Sequence, residues 1–288
     1  MSKKWISIMV ITLLAFILVG IRIYPDLEMK LETGLKQETT HVNENHNKNT
    51  IKEGKERSFP FRTKEEEELA GHSPDKFKIV EKMYFSLSTI HHAYGAFQFR
   101  NSELDNMSYV EFYVDYDQKR SRESYKEIGK EAIKAEEILL KDSMLLRQKP
   151  LEKIYNRKPL EDRSTSVYAN IVTNSEWYML IYNNYSDWEF KEGEKFGLPV
   201  YLIKGNIKED ISESLMGPFT MIVSKETGAL LDLKCYQQED EPTLTVTVED
   251  IKINEGLPED VFHLDVSDGR ELPNLEYNIS DLTGYEGK

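Results

Sequence analysis

The chain has 288 residues, enough for one sizeable or two small domains, and its 39% hydrophobic content is that of a globular protein. Its formal net charge of −14 argues against a nucleic-acid partner, because phosphate binding requires concentrated Lys and Arg. The single cysteine, Cys235, excludes an intramolecular disulfide and a cysteine-rich metal site. We expect Cys235 to be a buried small hydrophobe within a strand.

The N-terminal segment is apolar. After MSKK, the run Trp5–Tyr24 carries a single charge, Arg22, and twenty helical residues rise about 30 Å, the thickness of a bilayer core. Lys3 and Lys4 favour a cytoplasmic N-terminus. We therefore predict that residues 1–24 form a transmembrane signal-anchor. The protein would be single-pass in the cell membrane, with the rest of the chain extracytoplasmic; a cleaved signal peptide is the alternative.

Residues 25–72 have few apolar side chains, many charges and no sustained periodicity. Such a composition cannot bury enough apolar surface to offset the entropy of ordering, so we predict a disordered polar linker. Three histidines, His41, His46 and His72, occur here without the regular spacing of a metal site. We predict no metal ligands among them.

Order is predicted to begin with SPDKFKIVEKMYFSLSTIHHAYG. Ser73 suits a helix N-cap, Pro74 the first turn, and Asp75 the positive end of the helix. Three strands are predicted next, in YGAFQFR, YVEFYVDYD and KRSRESYKE. In the second of these, apolar and acidic residues alternate, which indicates an antiparallel sheet with one wet face.

The spacing of the apolar residues then changes from that of a strand to that of a helix. Glu127–Arg147 places apolar residues at helical spacing, so we predict a helical insertion over about 127–158. Strands are predicted again in TSVYANIVT, EWYMLIYN, LPVYLIKGNI and PFTMIVS.

The stretch SKETGALLDLKCY predicts a β-hairpin whose turn is KETG, with Gly228 able to take a positive φ. In TLTVTVEDIKIN the apolar alternation slips by one residue at Asp250, as a β-bulge requires. The chain is therefore predicted to end as a meander of antiparallel strands, followed by a polar tail over 269–288.

No catalytic signature is present: the sequence has no H-E-x-x-H, no G-x-S-x-G, no phosphate loop and no dinucleotide fingerprint. Abundant Asp and Glu would permit a carboxylate pair for acid–base catalysis, but in so acidic a chain this has almost no weight. We predict a protein that is not an enzyme, with no catalytic residues, no metal and no cofactor.

Several elements together resemble a known family. A first helix precedes a strand with Arg122-Glu123-Ser124; GLPVYLIKG and IVSKETGALLDLKCY follow, then VTVEDIKINEGLPEDVFHLDV. This resembles the LolA-like superfamily, which includes outer-membrane lipoprotein carriers and the N-terminal domain of RseB-type regulators. The resemblance spans about Ser73–Val266, and we place the domain at 73–268. It implies an α+β fold, a curved antiparallel sheet forming an incomplete β-barrel closed by helices.

The resemblance also implies an apolar cavity between sheet and helices, and an arginine, here Arg122, that contacts a helical lid. The leading hypothesis is a membrane-anchored extracytoplasmic protein that holds an apolar, lipid or lipoprotein ligand. The alternative is a cell-envelope regulatory or assembly module that binds another protein and carries no lipid. The candidate cavity-lining residues, which would otherwise fill the core, are Phe112, Val114, Trp177, Met179, Leu202, Met221 and Leu233.

Overall fold

The structure is a computed structural model that describes residues 58–102, 106–129, 133–159, 165–173, 176–238, 241–258 and 260–272. The predicted membrane segment, most of the predicted linker and most of the polar tail lie outside these residues. The chain divides into two units, 1–61 with 279–288, and 62–278. Only residues 58–61 of the first unit are described. Within the described ranges, no helix has both the length and the apolar character needed to span a bilayer.

The described residues of the second unit form three short α-helices, two 3₁₀ turns and twelve strands. The helices are α1 (Lys64–His72), α2 (Pro74–Tyr84) and α3 (Asn170–Thr173), and the 3₁₀ turns are Ser86–Ser88 and Glu176–Leu180. The first six strands are β1 (His92–Asn101), β2 (Asn106–Asp115), β3 (Arg120–Ile128), β4 (Ile133–Lys141), β5 (Met144–Lys149) and β6 (Ile154–Pro159). The others are β7 (Trp188–Lys195), β8 (Leu198–Ile207), β9 (Gly217–Ser224), β10 (Leu230–Gln238), β11 (Glu241–Ile253) and β12 (Arg270–Glu271).

All twelve strands belong to one sheet, in the order β12-β6-β5-β4-β3-β2-β1-β11-β10-β9-β8-β7. Neighbours pair antiparallel except β12, which runs parallel to β6. The end strands β12 and β7 do not pair with each other, so the sheet is open and curved rather than a closed barrel. The predicted α+β class with a curved, incompletely closed antiparallel sheet agrees with this architecture.

Several local predictions are confirmed. Helix α2 begins at Pro74 with Ser73 as its N-cap residue, although the Ser73 side chain makes no capping bond. The KETG turn joins β9 to β10, and Gly228 there has φ +76°. In the β1–β11 ladder, Phe97 pairs with Val248 and Ala96 with Asp250, which skips one residue of β11 and forms the predicted bulge.

The predicted helical insertion over 127–158 is wrong. The end of β3 and strands β4, β5 and β6 occupy this region. Asp142 and Ser143 both have positive φ, 53° and 59°, which is the backbone of a type I′ hairpin turn between β4 and β5. The residues of β4 are good helix formers, but pairing with β3 on one side and β5 on the other outweighs that local preference.

Three other boundaries also differ from prediction. Part of the predicted linker is helix α1, which begins with a reciprocal capping box between Thr63 and Glu66. The segments TSVYANIVT and EWYMLIYN were expected to be strands, but they hold α3 and a 3₁₀ turn. At the other end, the sheet continues past 268 because Arg270 and Glu271 pair with β6.

Candidate binding face and lid

Four of the seven predicted ligand contacts lie on one face of the sheet, here called the inner face. Phe112 and Val114 alternate along β2, while Met221 of β9 and Leu233 of β10 are a directly opposed pair. All four side chains have 0% exposure. A side chain that lines a cavity wide enough for water has accessible surface, so these four line no open cavity in this structure. Their role as ligand contacts remains a prediction, and it requires the covering segment to move.

The other three predicted contacts lie elsewhere. Leu202 pairs with Ile222 across the β8–β9 ladder, whereas its neighbour Ile203 pairs with Met221. Because adjacent residues of a strand point to opposite faces, Leu202 lies on the outer face, away from the four residues of the inner face. Trp177 and Met179 lie on no strand; they are in the Glu176–Leu180 turn and are half-buried.

A short irregular segment covers the inner face. We define the lid as residues 165–173 and 176–185, which contain α3 and the second 3₁₀ turn. Helix α3 packs against β10, and Val172 and Thr173 in it are fully buried. The 3₁₀ turn packs against α2, where the rings of Tyr84 and Tyr178 meet edge to face at 5.4 Å. The lid thus fills the space in which the resemblance places a ligand.

One carboxylate joins the lid to the sheet. Glu123, on β3 and 0% exposed, accepts a hydrogen bond from the Ser166 hydroxyl at 2.7 Å. Its oxygens also accept bonds from three successive backbone N–H groups, those of Val167 at 2.9 Å, Tyr168 at 3.1 Å and Ala169 at 2.9 Å. We call Glu123 with these donors the clasp. An acceptor with donors on both oxygens is the pattern of an ionised carboxylate.

A second polar contact holds the lid beside the clasp. The Tyr168 hydroxyl donates to Glu136 Oε2 at 3.0 Å, and Arg147 Nε lies 3.8 Å from Glu136 Oε1. The Tyr168 ring stacks on Tyr125 with 4.8 Å between centroids. Burial raises the pKa of Glu136, and the Arg147 charge and the Tyr168 hydrogen bond oppose that rise. Glu136 is therefore more easily protonated than a surface glutamate.

Both ends of the lid have further attachments. Near α3, the Tyr116 hydroxyl contacts Thr173 and donates to Asn170 Oδ1 at 3.2 Å. At the far end, Tyr182 and Asn183 donate to the Glu66 carboxylate of α1 at 2.9 and 2.8 Å. Hydrogen bonds thus hold the lid at both its start and its end.

The predicted contact of Arg122 with a helical lid does not occur among the described residues. Arg122 precedes Glu123 on β3, so its side chain projects from the outer face of the sheet. There its guanidinium donates to the Val261 carbonyl at 3.4 Å and lies 3.7 Å from Glu137. The lid contact is made by Glu123, which sequence reasoning passed over. The sequence did carry a signal for this contact. Ser121, Glu123 and Tyr125 alternate along β3 opposite the apolar residues of β2, which places Glu123 on the face that is buried.

Two cavities occur on the outer side of the described sheet. One, of about 490 Å³, is lined by Arg120, Lys141, Asp260, Phe262 and His263. The other, of about 210 Å³, is lined by Gln148, Pro150, Lys153, Asp265, Ser267 and Asp268. Neither involves a predicted ligand contact. Among the described residues, no three His, Cys, Asp or Glu side chains are grouped so as to hold a metal ion.

No family model and no curated protein matches this sequence. Solved structures do match. LprF from Mycobacterium bovis shares 12% identity over 64% of this chain and 95% of its own, with a TM-score of 0.40. The MucA/MucB complex of Pseudomonas aeruginosa gives 10% identity over 68% of this chain and 62% of that chain, with a TM-score of 0.39. A LolA superfamily protein from Nitrosomonas europaea shares 15% identity over 66% of this chain and 97% of its own, with a TM-score of 0.26. The matched structures include a protein of the LolA superfamily, which the sequence motifs resemble.

Proposed function

We propose that this chain is an extracytoplasmic binding domain that holds an apolar guest, a lipid or the acyl chains of a lipoprotein, between the inner face and the lid. Trp5–Tyr24 would keep it at the cell membrane. The observation that supports this function is the lid itself. A continuous apolar face, with Phe112, Met221 and Leu233 on it, is closed by a short segment, and the buried Glu123 carboxylate is one of the groups that attach this segment to the sheet. No covalent chemistry is involved.

Magnitudes limit the size of the guest. A hydrogen bond to a charged group contributes about 1.5–3 kcal/mol net, so the four donors of the clasp sum to roughly 6–12 kcal/mol. Each buried methylene contributes about 0.8 kcal/mol. A guest must therefore bury on the order of ten methylenes to offset the loss of the clasp alone. Long acyl chains satisfy this condition, and small apolar molecules do not.

A second candidate function is supported by a different observation. The four inner-face residues Phe112, Val114, Met221 and Leu233 have no accessible surface. A domain whose interior is filled by its own lid fits an envelope regulator or assembly factor that binds another protein on its exterior. This function needs no lid opening and no lipid cargo.

One experiment separates the two functions. We would place the photo-crosslinker p-benzoylphenylalanine in the full chain at Phe99, half-buried on the inner face opposite Val246, and as a control at Leu202 on the outer face. After irradiation of intact cells, a lipid adduct at position 99 and none at 202 is expected for the guest-binding function. A protein adduct at 202 with no lipid at 99 would support the second function. No lipid adduct at 99 would overturn the first.

A further inference from the structure

The chemistry of the clasp restricts which guest can open the lid. Glu123 is on the inner face, directly opposite Phe112 in the β2–β3 ladder. When the lid leaves, the Glu123 carboxylate loses the Ser166 hydroxyl and the backbone donors that now satisfy it. A guest lying on Phe112 would then bury that charge without partners. Burying an unpaired carboxylate is strongly unfavourable, so the guest itself must satisfy it.

The other charges on the inner face of β3 and β4 are already paired. Glu136 lies 3.8 Å from Arg147, and Glu127 lies 3.5 Å from Lys134. Glu123, by contrast, forms no ion pair with any basic side chain in the described part of the chain. Among the described residues, the inner face of β3 and β4 therefore carries one carboxylate, Glu123, whose hydrogen-bond donors all belong to the lid.

Resting on the proposed function, we propose that the guest is an amphiphile whose polar end carries a protonated amine, which pairs with Glu123 while the acyl chain lies on the inner face. From β2 the apolar face continues through β1, β11 and β10 to Met221 on β9. Four inter-strand spacings of about 4.8 Å make roughly 19 Å, the length of a long acyl chain. A fatty-acid anion of equal length is rejected, because it would bring a second negative charge to Glu123.

The test uses two matched photoreactive probes, a diazirine-bearing twelve-carbon amine and the corresponding carboxylate, added to membranes that contain the full chain. The amount of probe on peptides from β2, β9 and β10 is measured by mass spectrometry. We expect the amine to label these peptides at least about tenfold more than the carboxylate, the ratio for one charged hydrogen bond. Peptides of the outer cavities serve as the reference for non-specific labelling.

Three variants assign the preference to Glu123. Glu123→Gln is expected to bring the ratio near one, whereas Ser124→Ala, on the opposite face of the same strand, is expected to keep it. Ser166→Ala retains the carboxylate but weakens the clasp, so labelling by both probes should rise with the ratio unchanged. This variant also keeps the test valid if Glu123→Gln fails to fold.

The outcomes distinguish the two levels of the proposal. If neither probe labels the inner-face peptides, the guest-binding function fails, and the inference with it. If both probes label the wild-type chain equally, the function stands but the requirement for an amine is overturned. If the preference survives in Glu123→Gln, Glu123 is not its source.

Discussion

The carboxylate of Glu123 accepts a 2.7 Å hydrogen bond from the hydroxyl of Ser166, a residue 43 positions further along the chain. Both residues are buried, with exposures of 0% and 2%. This contact sets where the lid begins on the sheet, because the three N–H groups after Ser166 bind the same carboxylate. One side chain of β3 thus fixes the start of the lid on the sheet.

Glu123→Gln is expected to destabilise the protein by roughly 2–4 kcal/mol, because the amide would point N–H donors at the backbone N–H groups of the lid. The free energy of unfolding is measured with urea, and the opening of the clasp is measured by amide hydrogen exchange at residues 166–169. Ser124→Ala is the control and should change stability by less than about 0.5 kcal/mol. Unchanged exchange at 166–169 in Glu123→Gln would show that the clasp does not hold the lid.

Gly228→Ala should be strongly destabilising. The residue has φ +76°, and a Cβ there would lie 2.2 Å from the carbonyl oxygen of Lys82 at the end of α2. The backbone conformation alone costs about 1–2 kcal/mol for an L-residue, and the clash with Lys82 adds to it. Urea unfolding measures the total.

Gly256→Ala is the matched control for that substitution, because a Cβ at Gly256 meets no atom within 4 Å. We expect it to be close to neutral. Equal effects of the two substitutions would mean that β9–β10 and α2 do not pack as described.

The thiol of Cys235 should be inert in the folded protein. The side chain is fully buried on β10, and burial raises its pKa to about 12. Since the thiolate is the reactive form, a disulfide reagent at about pH 8 should label the native chain slowly and the urea-unfolded chain rapidly. As this is the only cysteine of the chain, the labelling rate reports opening of the core. Rapid labelling of the native protein would contradict the packing of β10.

Glu136 should make the stability pH-dependent. Burial raises its pKa in the folded protein above the ordinary value of 4.5. The folded state therefore favours the protonated form, and the stability that this contributes is complete below the unfolded pKa. It is lost as the pH rises through the folded pKa.

The measurement is the free energy of unfolding of the wild type and of Glu136→Gln, taken from about pH 4 to pH 8. The stability of the wild type relative to Glu136→Gln should fall over this range, because glutamine does not titrate. Glu68→Gln, a change at an exposed position of α1, should leave the wild-type profile unaltered. Parallel profiles for wild type and Glu136→Gln would contradict the raised pKa.

The local signals of the sequence predicted several elements correctly. The strand signals of the sequence predicted β1 to β3 and the strands from β8 to β11, and the slip at Asp250 predicted the bulge in the β1–β11 ladder. The KETG turn was predicted because a hairpin requires a residue that tolerates positive φ, and Gly228 supplies it. In these places the local preference and the final packing agree.

Tertiary structure decided the rest. Residues 133–149 contain strong helix formers, yet they form β4 and β5 because ladder bonds and burial of alternate side chains against the lid outweigh propensity. The sequence by itself determined β1 to β3, the strands from β8 to β11, the KETG hairpin and the apolar face of these strands. The tertiary structure decided that Glu123, and not its neighbour Arg122, contacts the lid, because this contact joins residues far apart in the sequence. A strand places adjacent side chains on opposite faces, and no local pattern states which face the lid will cover.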